Sequence, residues 1–303
     1  MSKPVTTPLP KNTNSNQPNS EKLVIDCKQI TTSQPTTETW LQVEKRLAAS
    51  NYDDKNRVLL GYLVERKSSV VIKIGETTSL EKEYNIGTAL KQYNIEGFIK
   101  YGCFFKCQDK YKEHPSNSRK HLCKGLPSDD PSKPKMSVLV MPYYRLGSLA
   151  DFNSIVTDRE DKTFILKDLL EQIIAAFANA FTTVGFIHND SHARNILITK
   201  TKKTQSGYGI VIMDFENAMI NVKTEDRRFV YKDFGRLIAD LHYNHRFNLK
   251  GTLELLTLLM KLESSSEAFD NTIPQIIVAI SQLSFDAPMI TSPNQYVYNP
   301  NIL

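Results

Sequence analysis

Only four cysteines stand in the 303 residues, Cys27, Cys103, Cys107 and Cys123. They are few and widely spread, which argues against a disulfide-stapled scaffold and makes a reducing, cytoplasmic compartment the default expectation. Met1 is not followed by a basic region and an apolar core, so no secretory signal is expected. No apolar run approaches the ~18 residues that cross a bilayer as a helix, and stretches such as Met136 to Met141 are strand-sized. An excess of one charge is lacking too. Lys and Arg number 38 against 33 Asp and Glu, a net +5, far from the concentrated basic stripe of a dedicated nucleic-acid binder. Glycine is scarce at 12 residues, with Gly61 alone between Trp40 and Ile74.

What is present suffices for one large domain or two packed lobes, with 40% hydrophobic residues. Residues 1–37 are rich in Thr, Ser, Asn, Gln and Pro; such a segment buries too little surface to offset its ordering entropy and is expected to be a disordered tail. Trp40, Leu41, Val43 and Leu47 are spaced as in a short helix ending near Ala49. Val58 to Val64 and Val70 to Ile74 flank a polar turn, a hairpin pattern. A helix after Ser79 carries Glu81 and Glu83, and Phe98 to Phe105 reads as a strand. The polar stretch 108–135 is expected to be a surface insertion, before a strand from Val138 to Met141.

Past Pro142 the periodicity becomes helical. Phe164 to Phe181 marks one long helix, and the segments Asp233 to His242, Leu253 to Leu262 and Ile273 to Leu283 mark three more. Between them lie two short apolar runs, Ile196 to Ile198 and Ile210 to Met213. Strands first and helices second imply an α+β chain with a cleft between two lobes, 38–144 and 145–303.

The chemistry-bearing residues gather beside the two short strands. His188, Asn189, Asp190, Ser191, His192, Ala193, Arg194 and Asn195 read H-x-D-x-x-x-x-N, and Met213, Asp214, Phe215 follow about twenty residues on. Together these two segments resemble the catalytic loop and metal-binding motif of the protein-kinase superfamily. The resemblance implies Asp190 as the carboxylate that accepts a proton from an acceptor hydroxyl, and Asn195 and Asp214 as oxygen donors suited to Mg²⁺.

The resemblance runs from about Leu59 to Leu241, and what lies beyond is shorter than in a typical kinase. Val70, Val71, Ile72, Lys73 matches the strand whose lysine binds the α- and β-phosphates, and implies Glu83 rather than Glu81 as its ion-pair partner. Val138 to Tyr144, with Gly147 to Leu149, is similar to the hinge; adenine would bind near Pro142 to Tyr144, with Tyr143 in contact and Met141 as gatekeeper. Asp233 would open the central helix of the large lobe and hold the catalytic-loop backbone. Arg194 sits within an Ala-Arg-Asn ending shared with many tyrosine kinases and is counted, with Asp190 and Lys73, among the catalytic candidates.

Departures from the pattern are equally specific. Three glycines are expected where only Gly61 stands, which removes backbone donors from the phosphate grip. Asn189 replaces the arginine that pairs with a phosphorylated activation loop, so control by loop phosphorylation is not expected. Glu216 takes the place of glycine after Asp214-Phe215, as in some small-molecule kinases. Gly87 takes the place of a larger apolar residue that aligns the lobes, and His192 that of a lysine. Kinases with H-N-D loops and trimmed C-terminal lobes are familiar among large DNA viruses, and a viral source would place the chain in host cytoplasm or virion.

The resemblance implies a bilobal, ATP- and Mg²⁺-dependent protein kinase with Ser/Thr acceptors favoured, no nucleic-acid partner and no membrane span. Its rivals are a kinase-shaped binding module without transfer and a kinase of small molecules such as choline or aminoglycosides. A zinc site from Cys103, Cys107, His114, His121 and Cys123 is disfavoured. Four residues of strand span ~13 Å at roughly 3.3 Å each, too far for one tetrahedral ion. The lysines between 106 and 135 are interleaved with Asp, Glu and Pro, as on a solvated loop.

Overall fold

A computed structural model describes residues 41–49, 57–63, 67–107, 135–157 and 161–285. The expected tail 1–37, the insertion but for Lys135, and Cys27, His114, His121 and Cys123 lie outside these residues.

The first half is a five-stranded antiparallel sheet in the order β1-β2-β3-β5-β4, with β1 Leu41–Ala49, β2 Arg57–Leu63, β3 Ser68–Glu76, β4 Cys103–Lys106 and β5 Met136–Pro142. β3 is central, and Lys73 lies between Val58 of β2 and Leu139 of β5. Its run of β-branched residues suits a strand buried on both faces. Val70, Ile72 and Ile74 point into a small outer core with Phe105, Val138 and Val140. The period of two turns Val71 and Lys73 to the opposite face.

That opposite face is covered by helix α1, Thr77–Gln92, which buries Leu80, Glu83, Ile86, Gly87 and Leu90. These positions recur at helical spacing along one stripe. The remainder is mostly helical: α2 Lys162–Val184, α3 Arg228–Tyr243, α4 Thr252–Glu263 and α5 Phe269–Ser281. α2 buries one broad apolar stripe, from Ile165 and Leu166 to Ala180 and Phe181, and turns Lys167, Asp168, Glu171 and Gln172 away from it. Full burial of a side chain such as Leu169, Ile173 or Phe177 contributes about 1.5–3 kcal/mol, well above the few tenths that β-branched and aromatic residues cost in helix propensity. Gly185 ends α2 at φ 61°, with Gly185 N–H and Phe186 N–H donating to Phe181 and Ala180 carbonyls; this left-handed cap favours glycine. Strands β6 Ile196–Lys200 and β7 Tyr208–Ile212 form a hairpin between α2 and α3.

One apolar core joins the halves. It runs from Leu80, Leu90, Leu139 and Met141 to residues of α2, α3 and the β6–β7 hairpin. Backbone bonds cross as well: Ile99 N–H donates to the Ile212 carbonyl (2.9 Å) and Ile212 N–H to the Gly97 carbonyl (2.8 Å).

Three expectations are corrected. Leu41–Ala49 is an edge strand, not a helix. Register shifts between Val43 and Lys45 and between Arg46 and Ala48 break the alternation, and bulges of this kind space apolar residues as a helix would. The strand expected over Phe98 to Phe105 is confined to Cys103–Lys106, because Phe98, Ile99 and Tyr101 turn instead into the shared core. Cys103 and Cys107 are each disulfide-bonded, against the reading of the cysteines as reduced. Four residues apart at an extended strand's end, both point into the outer core, where the period of two places them on one face. Among the described residues no helix is long and apolar enough to cross a membrane.

Candidate functional site

Lys73 reaches from the central strand into the cleft and bridges two carboxylates. Its Nζ lies 2.8 Å from Glu83 Oε2 and 2.7 Å from Asp214 Oδ1. Burial opposes the ammonium, but the two carboxylates outweigh it and hold the Lys73 pKa above its ordinary value. Glu83 belongs to the buried stripe of α1, so its charge depends on partners in place of water. Burial pushes its carboxyl up, against the pull of Lys73. Lys73 serves one carboxylate oxygen and the Tyr101 hydroxyl, 2.5 Å from Oε1, donates to the other. Glu81 instead forms an exposed pair with Lys106 at 2.9 Å.

A cavity of about 280 Å³ opens beside this triad, lined among others by Arg57, Lys73, Glu76, Leu80, Asp214 and Glu216. Gly61 lies within β2, paired with Val70, and not at the cavity's rim. The stretch between β1 and β2, residues 50–56, contains no glycine. Two cations, Arg57 and Lys73, and three carboxylates, Glu76, Asp214 and Glu216, line the described part of this cavity.

The loop carrying Asp190 is clamped by one face of α3. Asp233 Oδ2 accepts from the backbone N–H of His188 (2.7 Å) and of Asn189 (3.2 Å). One turn on, Arg236 Nη1 donates to the Asn189 carbonyl (2.6 Å). Another turn on, Asp240 Oδ2 accepts from Ala193 N–H (2.8 Å). Positions 233, 236 and 240 share a helix face, so one rigid element fixes both ends of the loop. Asp233 sits in the second turn of α3, not at its start.

His188 joins this loop to the other motif. Its Nε2 lies 2.9 Å from the Met213 carbonyl while Nδ1 accepts from Asp190 N–H (3.3 Å), which assigns the Nε2–H tautomer. Asn195 Nδ2 donates to the Asp190 carbonyl (3.0 Å), leaving its side-chain oxygen as the remaining donor atom for a cation. Asn189 and Asp214 both hold positive φ, 61° and 66°. Asn and Asp tolerate that region better than other side chains. The asparagine at 189 therefore suits the backbone as well as lacking a charge.

Asp190 itself faces outward, its side chain 44% exposed, with Asn217 Nδ2 at 3.4 Å and His192 Nε2 at 3.9 Å. A second cavity of about 220 Å³ adjoins it, lined by Asp190, Ser191, His192, Arg236, Asp240 and Asn244.

The structure thus brings Lys73, Glu83 and Asp214 into direct contact, and ties Asp190 and Asn195 to Met213 beside Asp214 through the loop and His188. Met141 is buried at the end of β5 opposite Val71, and Tyr143 follows it at the surface. Arg194 is exposed on the turn Ala193–Asn195. Sequence reasoning missed Tyr101, Asn217, Arg236 and Asp240. The last two carried a signal, polar residues recurring at i, i+3 and i+7 on an otherwise buried helix.

This anchoring gives a measurable consequence. Asp233→Ala leaves the N–H groups of His188 and Asn189 unpaired, at about 1–3 kcal/mol for each buried donor. Urea unfolding should show a loss of about 2–5 kcal/mol on that basis. A loss below about 0.5 kcal/mol, the scale of an ordinary surface change, would show that the loop does not depend on α3.

A family model described as "ABC1 atypical kinase-like domain" matches residues 129–245. That span holds β5, the Asp190 loop, Asp214 and the clamping face of α3, but not Lys73 or Glu83. No curated protein sequence matches the chain. Among solved structures, the crystal structure of the BubR1 kinase domain is similar at a TM-score of 0.53 and 11% identity, covering 80% of each chain. A structure of WaaP in complex with acyl carrier protein has a TM-score of 0.46 and 12% identity, covering 79% of this chain and 88% of that one. The small antiparallel sheet, the mostly helical remainder and the likeness to the BubR1 kinase domain agree: the chain has a protein-kinase-like fold.

Proposed function

We propose that the chain transfers the γ-phosphoryl group of ATP, with Mg²⁺, to a protein hydroxyl, serine or threonine in the first place. The observation that supports this most is the Lys73 ammonium held between Glu83 and Asp214 at the mouth of a cavity. The donor set fits the cofactor. Asp214 and Asn195 offer hard oxygens, and Mg²⁺ takes few protein ligands, filling its shell with water and phosphate oxygens. Lys73 and Arg57 are cations suited to phosphate. Bound ATP with Mg²⁺ supplies an activated phosphoryl group and charge neutralisation. The chain's own residues position it: Lys73 on the phosphates, Glu83 on Lys73, Met141 and Tyr143 beside adenine. Asp190 orients the acceptor hydroxyl and takes its proton. Arg194, exposed one residue from Asn195, meets acceptor or phosphate from the solvent side. The open setting of Asp190 suits an extended chain segment as acceptor.

One observation favours a second reading, a small-molecule acceptor. The cavity beside Asp190 is lined by Arg236 and Asp240 of α3 together with Asn244 and the loop residues Asp190, Ser191 and His192, and Glu216 follows Phe215 where protein kinases carry glycine. Purified full-length chain, labelled ATP, Mg²⁺ or Mn²⁺, generic protein acceptors and a panel of small amines and sugars decide between them. Label on serine or threonine is the expected result. Label on a small molecule alone moves the acceptor. Nucleotide binding without transfer reduces the chain to a binding module, and no nucleotide binding overturns the proposal.

A further inference from the structure

Gly87 and Tyr101 fit each other as void and filler. Gly87 lies on the buried face of α1 one turn after Glu83. A Cβ at 87 would stand 2.5 Å from Tyr101 Cε2, closer still to its Cδ2, and 3.5 Å from Phe215 Cε2. Real side chains do not approach so closely. The absent side chain at 87 is therefore what admits the Tyr101 ring beneath α1. Once there the ring does two things. Its hydroxyl donates to Glu83 Oε1. Its edge packs on Phe215, centroids 5.7 Å apart and planes at 80°, and Phe215 packs in the same way on His188 at 6.0 Å. Both are edge-to-face geometries that favour aromatic pairs. Tyr101 is 6% exposed and Glu83 1%, so water does not replace the hydroxyl without repacking.

We propose that Tyr101 is a positioning residue: through the gap left by Gly87 it pins Glu83, and with it Lys73, to the Phe215–His188 column that leads into the Asp190 loop. An outward swing of α1 must then break a buried hydrogen bond to a carboxylate and strip the Tyr101–Phe215 contact. The helix is held inward by the fold itself, with no phosphorylated loop engaged. The kinetic part of this inference rests on the phosphotransfer reading above; the structural part does not.

The test uses the full chain, wild type and Tyr101→Phe, in two measurements. Amide hydrogen exchange by mass spectrometry, without nucleotide, reads α1 directly. A lost hydrogen bond to a charged group is worth roughly a tenfold or larger change in an opening equilibrium, so amides near Glu83 should exchange about 10-fold faster, while those of α2 stay unchanged. In steady-state transfer the same variant should lose about 10-fold in kcat with little change in KM for ATP, as when a group acts in the transition state rather than in ground-state binding. A third variant separates packing from positioning. Gly87→Leu with Tyr101→Leu refills the gap without a hydroxyl. It should recover thermal stability relative to Gly87→Leu alone, yet keep fast α1 exchange and low kcat. Wild-type exchange in α1 of Tyr101→Phe overturns the inference, whatever the activity. Faster exchange in a protein whose wild type neither binds nor turns over ATP sustains the pinning and overturns the proposed function instead.

Discussion

Asp190→Asn is expected to lower turnover by roughly 10²–10⁴ while leaving ATP affinity nearly unchanged, since a general base acts on the acceptor and not on the nucleotide. The structure makes this a clean substitution. The loop is held by backbone groups, through Asp233 and Asp240, and the Asp190 carboxylate contributes nothing to that clamp. Its side-chain neighbours, Asn217 Nδ2 at 3.4 Å and His192 Nε2 at 3.9 Å, can both be accommodated by an amide oxygen. The fold should be untouched and the missing basicity isolated. Steady-state kinetics beside calorimetric ATP binding measure the two quantities. Transfer that survives unchanged would mean that the activity arises elsewhere.

Asp214→Asn should fail differently. Asp214 Oδ1 accepts from Lys73 at 2.7 Å, and the same carboxylate is the charged oxygen donor available for Mg²⁺ in the proposal. Removing its charge takes away a ligand for the largest local charge in the site, so Mg²⁺-dependent nucleotide affinity and turnover should fall together, turnover by about 10² or more. Stability should change little. Asp214 is 37% exposed, and a solvent-screened pair contributes about 0–1 kcal/mol, while Glu83 still holds Lys73. The decisive comparison is nucleotide binding with and without Mg²⁺ in both proteins. A variant whose affinity still rises on Mg²⁺ addition would remove Asp214 from the metal site.

What the sequence could disclose follows the range over which each feature acts. The Asp190 loop and the Asp214 segment are contiguous, so their residue types and spacing carry the kinase resemblance without a fold. Lys73 is legible because four β-branched or charged residues in a row fix its strand. Glu83 could be preferred over Glu81 on resemblance, and the geometry gives the physical reason, since one lies on the buried face of α1 and the other meets Lys106 in solvent. Tyr101 was illegible. Its role depends on an absence at 87, fourteen positions earlier, and on a ring at 215. The edge strand Leu41–Ala49 was misread because its bulges replace one period by another. The disulfides at Cys103 and Cys107 were unreadable from spacing, which limits which cysteines can share one ion and not which form disulfides.

The two backbone hydrogen bonds between Gly97, Ile99 and Ile212 bear on how the halves can move. They tie the segment after α1 to the β6–β7 hairpin and lie inside the shared apolar core. Pulling the halves straight apart would break both bonds and expose that core together, so separation costs backbone pairing as well as apolar burial. Lys73 and Asp214 come from opposite halves and meet at 2.7 Å, so the same separation would also part their ion pair.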